Sequence, residues 1–160
     1  MVKEDATILF LPFWLCGRRF GVRLGQVQCV VRAVDAEPIP QAPTAVRGVF
    51  DLRGAIVPLL NIRRRFGLPD REIGLNDHFI IATATRRTVA LWVDDTGAVL
   101  ERPAADRVPA AEILDRSGQI DGVLRLQDGL LLIHDLDRFL CAQEQEELQI
   151  ALAAGVRSGN

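Results

Sequence analysis

Tyrosine is absent from this chain, tryptophan occurs only twice, and the only serines are Ser117 and Ser158. Two serines in loop or tail positions, with no Gly-x-Ser-x-Gly turn, exclude serine-nucleophile chemistry. No glycine-rich phosphate loop is present. With so few aromatic platforms on which bases could stack, and a formal net charge of −2 that leaves no surplus to neutralise a phosphate backbone, nucleic acid is not an expected partner. Cys16, Cys29 and Cys141 cannot all pair and have no metal-ligand spacing, so they read as free thiols of a reducing compartment. His78 and His134 are isolated, and His134-Asp135 reads as a strand end meeting a helix cap. No apolar run approaches the roughly 20 residues of a spanning helix. The run Ile8 to Leu15 is interrupted by Pro12 and followed by no cleavage-site pattern, which argues against a signal peptide. The expectation is a soluble cytoplasmic protein without cofactor or metal and without catalytic activity.

What the chain does have is a repeat. Gly48-Val49-Phe50-Asp51-Leu52-Arg53-Gly54 and the apolar run to Leu60-Asn61 recur, 74 residues later, as Gly122 to Gln127-Asp128-Gly129 and the run to His134-Asp135. Each copy predicts strand, tight turn, strand, cap and short helix. Arg53-Gly54 and Gln127-Asp128-Gly129 supply turn residues, and Asn61 and Asp135 stand where a side-chain oxygen caps the first helical amides. A second pair of hairpins is predicted around Cys16-Gly17-Arg18 and Ala84-Thr85-Arg86-Arg87, at an offset of 68.

Between these blocks, Leu24 to Val30 has helical apolar spacing and predicts a short helix, followed by a strand over Val31 to Val34. Pro38 to Pro43 reads as extended. Gly97 to Glu101 reads as a strand, and Arg102 to Gly118 as a long loop with a helical turn at Ala111 to Leu114. Pro58 within an apolar strand argues for an edge or a bulge. Arg63-Arg64-Arg65 reads as a solvated helix face. One unit over residues 1–160 is expected, with lobe one at about 8–72, lobe two at about 76–140, a joint at Gly67 to Asp77, and a C-terminal helix at about 135–154 packed on its own lobe and fraying from Gly155. Short strands with Gly and Pro turns predict a mainly β protein, as small antiparallel barrels or a composite sandwich.

The segment Gly48-Val49-Phe50-Asp51-Leu52-Arg53-Gly54, with Ile56-Val57-Pro58-Leu59, Asn61-Ile62-Arg63 and Phe66-Gly67-Leu68, closely resembles the signature of the CheW family of chemotaxis coupling proteins. Phe20-Gly21-Val22, Val93-Asp94 and Gly122 to Leu140 extend the resemblance across nearly the whole chain. It implies two five-stranded, SH3-like barrels sharing a hydrophobic core. It also implies an adaptor role, binding the cytoplasmic tip of chemoreceptors and the regulatory domain of the histidine kinase CheA. The sequence departs from the family pattern at Asp51 (commonly Asn), at Asn61 (commonly Asp) and at Cys29, which stands at an acidic position. These departures keep open a divergent partner, or a parallel chemosensory pathway with pilus or other output.

Arg53, lifted on a hairpin tip beside Asp51, is the leading candidate contact for receptor or kinase, since a guanidinium engages carboxylates or carbonyls bidentately. Val27 and Val30, flanking Cys29, are candidates to line an apolar groove with Val93 and Val99, rimmed by Asp94 and Asp95, that would receive a helical receptor tip. Plain core is the alternative for the valines, and a solvated turn for the aspartates. Two readings from other classes remain: a small barrel binding single-stranded nucleic acid, and a thiol enzyme using Cys29.

Overall fold

The computed structural model describes residues 6–84, 87–109, 120–139 and 142–158. The anticipated helical turn at Ala111 to Leu114, the turn residues Thr85 and Arg86, Leu140 and Cys141 lie outside the described residues.

Strands β1 (Thr7–Leu15) and β2 (Arg18–Arg23) form the first hairpin. β3 (Val27–Arg32) follows, then the hairpin β4 (Val46–Leu52) and β5 (Ala55–Leu60), and the one-turn helix α1 (Ile62–Arg65). The second half contains β6 (His78–Ala84), β7 (Arg87–Val93), β8 (Asp95–Thr96), β9 (Leu100–Pro103), β10 (Arg107–Pro109), β11 (Ile120–Leu126), β12 (Gly129–His134) and the C-terminal helix α2 (Ala142–Ser158). Five strands form one sheet in the order β3-β6-β7-β5-β4. Seven form the other in the order β10-β11-β12-β2-β1-β8, with β9 also on β1.

The two sheets interleave along the chain instead of following contiguous lobes at 8–72 and 76–140. The first hairpin, β1–β2, joins the second-half strands through the parallel pair β2–β12, and β6–β7 joins the first-half strands through the parallel pair β7–β5. Each half therefore lends its leading hairpin to the other. The result is a shared core: Phe13, Leu15, Phe20 and Val22 of one sheet pack with Ile80, Val89, Leu91 and Val93 of the other. Alternation sends the opposite face of each strand into its own barrel. Phe50, Leu59, Phe79 and Trp92 fill one interior, and Phe10, Leu124, Leu131 and Ile133 fill the other.

The repeat is preserved in register. Gly48 faces Leu59 and Gly122 faces Ile133, and each hairpin carries a bulge, between Val46 and Gly48 and between Ile120 and Gly122. The glycines are needed because another strand approaches there. A Cβ on Gly48 would meet the Glu37 carbonyl oxygen at 2.5 Å, and one on Gly122 would meet that of Val108 at 2.6 Å. Glu37 bridges to Val49, and Val108 pairs with Val123, at equivalent places in the two copies. Through these contacts the chain leaving β3 reaches β4, and the chain leaving β9 reaches β11. Each sheet is drawn round toward closure, which protects its apolar edges.

Both anticipated caps are formed: Asn61 Oδ1 accepts from the Arg63 amide at 3.2 Å, and Asp135 Oδ1 from the Arg138 amide at 3.3 Å. Pro58 sits at neither an edge nor the bulge. The amide and carbonyl of its partner Val49 both bond to Glu37, so Val49 and Pro58 form a non-hydrogen-bonded pair. The missing donor of Pro58 therefore costs no β4–β5 bond.

The helix expected over Leu24 to Val30 is a 3₁₀ turn (Leu24–Gln26) followed by β3, which ends at Arg32 and not at Val34. The reason is a bulge between Val27 and Cys29, which puts Val27 and Val30 on one face and mimics a helical spacing. Of the expected strand at Gly97 to Glu101 only Leu100 and Glu101 are strand, in β9, while residues 97–99 link β8 to β9; the expected loop from Arg102 holds the end of β9 and β10. The helix expected from about 135 begins only at Ala142, since Asp135 caps a separate 3₁₀ turn (Leu136–Arg138); α2 then extends past Gly155, buries Leu148 in the shared core, and buries Ala151 as well.

Candidate partner-binding surface

Arg53 and Gly54 are the two central residues of the β4–β5 hairpin, with φ of +52° and +92°. Positive φ at both positions is the twisted two-residue turn that antiparallel strands favour. For a residue with a side chain, this region costs about 1 kcal/mol or more. The Asp51 carboxylate spans the tip and accepts a hydrogen bond from the Gly54 amide at 2.7 Å. Arg53 itself is exposed, and among the described residues no ion pair engages it. Leu52, just before it, and Cys29 of β3 both pack onto the interior of the same barrel. The fold thus associates Arg53, Asp51 and Cys29 with one barrel.

Val27 and Val30 lie on the opposite face of β3 and pack, half-buried, against the shared core that contains Val93. Val93 is fully buried, whereas Val99 is 47 % exposed between β8 and β9, on the other sheet. The anticipated four-valine groove is therefore not assembled. Val27, Val30 and Val93 behave as core and core edge, and Val99 stands apart.

Asp94 is not a solvated rim residue. It accepts from the Arg63 guanidinium, from Arg71 Nη2 at 2.6 Å and from the Cys16 amide at 2.8 Å, and its own amide donates to the Trp14 carbonyl at 2.9 Å. It thereby ties the end of β7 to the β1–β2 turn, joining the two sheets. Burial pushes its carboxyl up, but the Arg63 hydrogen bond, the Cys16 amide and the neighbouring guanidinium charges hold it below the usual carboxylate range.

The triple-arginine run is correspondingly not a solvated face. Arg63 is fully buried, with its guanidinium carbon 4.5 Å from the centre of the Trp92 ring. Arg64 pairs with Asp70, and Arg65 with Glu144 of α2. A second carboxylate, Asp77, is buried and accepts two bonds from Arg71 (2.7 and 2.8 Å) and one from Trp92 Nε1 (2.9 Å). Burial pushes the Asp77 carboxyl up, yet Arg71, Trp92 and the Gly74 amide bring it down to about 2. Little of this network is legible from the sequence, because most of its bonds are non-local: Trp92 lies 15 positions from Asp77, Arg63 31 from Asp94 and Cys16 78 from Asp94.

His134 is the last residue of β12, the strand end that the sequence predicts before the Asp135 cap, and it is buried between the Phe66 and Phe139 rings. Among the described residues neither ring nitrogen has a partner, and burial pushes its pKa down to about 3, so the imidazole is neutral. Among the described residues, no group of three metal-ligating side chains converges, and no helix is long and apolar enough to cross a membrane.

Two interleaved, pseudo-repeated β barrels with an exposed cationic hairpin tip define a class of small β scaffold. The chain belongs to the CheW-like domain family, whose model matches residues 9–147. It is similar to the chemotaxis protein CheW of Treponema pallidum, at 25 % identity over 154 residues covering 92 % of this chain and 91 % of that one. It is also similar to the chemotaxis protein CheW of Rhizobium meliloti, at 29 % identity over 139 residues covering 85 % and 89 %. In fold it resembles the crystal structure of the scaffolding protein TtCheW from Thermoanaerobacter tengcongensis, with a TM-score of 0.78 at 22 % identity, covering 87 % of this chain and 96 % of that one.

Proposed function

We propose that this protein is a non-enzymatic adaptor of chemotaxis signalling, joining the cytoplasmic tips of chemoreceptors to the regulatory domain of a CheA-type histidine kinase. It acts in the cytoplasm, recruited to membrane-associated receptor arrays. The observation that carries the reading is the Arg53 tip: an exposed guanidinium with no ion-pair partner among the described residues, on a two-residue turn, in a chain of this family. A convex tip of this kind fits between the loops of a globular domain, so Arg53 is assigned to the kinase, with Asp51 next to it in the turn; Cys29, half-buried on β3 of the same barrel, is assigned to the same side of the scaffold. A helical receptor tip needs a longer apolar strip. Val27 and Val30, half-buried core-edge residues on the edge strand β3, are assigned to that contact as its exposed apolar margin. Asp94 holds the two sheets in register for both contacts, and Val99 would at most extend the receptor side.

The adaptor reading is tested by immobilising a chemoreceptor cytoplasmic fragment and adding the kinase regulatory domain with and without this protein. Retention of the kinase domain only when the protein is present is the expected result. Equal retention in its absence contradicts the reading.

A further inference from the structure

The repeat supplies an internal comparison at the two hairpin tips. In the first copy Asp51 bonds to the Gly54 amide, and Arg53 adopts a left-handed backbone. In the second copy the position of Asp51 is taken by Arg125, which cannot accept a hydrogen bond, and neither Gln127 nor Asp128 has a positive φ. There, Asp128 is instead drawn across to Arg19, at 3.0 and 3.1 Å. The carboxylate and the left-handed arginine occur together in one copy, and both are missing from the other.

The bond to Gly54 is placed to matter. The Gly54 amide belongs to the peptide plane that also carries the Arg53 carbonyl, so fixing that amide fixes ψ of Arg53 and the direction in which its side chain leaves the tip. A carboxylate–amide bond at 2.7 Å is of the stronger, charge-assisted kind.

We propose that Asp51 is a positioning residue for Arg53: it acts on partner binding by locking the turn, not by touching the partner. This rests on the assignment of Arg53 to the kinase contact. In the second copy the equivalent amide, that of Asp128, meets only its own carboxylate, which Arg19 also holds, so the two ends of the scaffold present different tips to their surroundings.

The test is a double-mutant cycle, read by calorimetric titration of the full chain with a CheA-type kinase regulatory domain. Arg53→Ala is expected to weaken binding about tenfold, and Asp51→Ala about fivefold. Asp51→Asn, which keeps the acceptor, should stay within about twofold of the parent. The central expectation is that Asp51→Ala adds nothing further once Arg53 is alanine. In parallel, exchange of the Gly54 amide with solvent should accelerate in Asp51→Ala and not in Asp51→Asn. Equal losses from Asp51→Ala with and without Arg53 would show direct contact and overturn the proposal. So would an unchanged Gly54 exchange rate, or no loss from Asp51→Ala where Arg53→Ala shows one. Normal binding by Arg53→Ala would overturn the contact reading itself, and the positioning role with it.

Discussion

Arg63, fully buried on α1, forms an ion pair with Asp94 at the end of β7, across 31 positions of sequence. The pair is bracketed by Trp92 under the guanidinium and by the Cys16 amide on the carboxylate, so it links α1, the five-stranded sheet and the β1–β2 turn. Breaking a buried pair by removing one partner leaves the other charge without compensation, at a cost of about 3–5 kcal/mol. Asp94→Ala is therefore expected to lower the unfolding free energy by about 3 kcal/mol. Arg63→Met, which removes the buried charge itself, should cost less. Urea unfolding of the two variants checks the order; an equal or reversed order contradicts this account of the pair.

His134 gives a pH dependence with a definite sign. Its folded pKa is about 3, below the ordinary value of 6.5, because burial disfavours the charged ring. The unfolded chain takes up the proton first, so stability is full above about pH 6.5 and falls as the pH drops toward 3. Between pH 7.5 and 5 the loss from this group is about 2 kcal/mol. The equivalent position in the first copy is Leu60, also buried, which suggests the substitution His134→Leu. That variant should show a shallower loss of stability between these two pH values. Parallel curves for parent and variant would mean that His134 does not govern this window.

The bulge glycines set barrel closure. Gly48→Ala or Gly122→Ala would push a Cβ into a backbone carbonyl oxygen at 2.5 or 2.6 Å. Overpacking of this kind costs about 1–3 kcal/mol. For Gly48→Ala, the Glu37 and Val49 amides, which bond across the closure, should exchange with solvent faster than in the parent. Unchanged protection of both amides would show that closure does not depend on this approach.

The two described thiols differ in access. Cys16 is exposed at the β1–β2 turn, whereas Cys29 is half-buried in a barrel interior. Alkylation by iodoacetamide at neutral pH should modify Cys16 several-fold faster than Cys29, roughly in line with access. Faster reaction at Cys29 would revive a thiol-enzyme reading.

Local chemistry made much of this fold legible. The hairpin turns and the caps at Asn61 and Asp135 depend on a few adjacent residues, and each was readable where it stands. What stayed hidden is non-local. Nothing within β1–β2 or β6–β7 says which sheet each hairpin joins, because the parallel pairings that decide it lie across the chain. The β3 bulge disguised a strand as a helix by placing Val27 and Val30 on one face. Arg63 looked like surface because its partner, Asp94, is distant in sequence. At the candidate site, Arg53 and Asp51 were visible from the turn itself. Val99 could not be separated from Val27 and Val30 without knowing that β8 and β9 belong to the other sheet.

The adaptor account is tested most directly by calorimetric titration of the protein, and of its Arg53→Glu variant, with the regulatory domain of a CheA-type kinase. The account predicts micromolar or tighter binding by the parent, at least about tenfold weaker binding by the variant, and nearly identical thermal melts. Absence of binding by the parent, or equal binding by both, would contradict it.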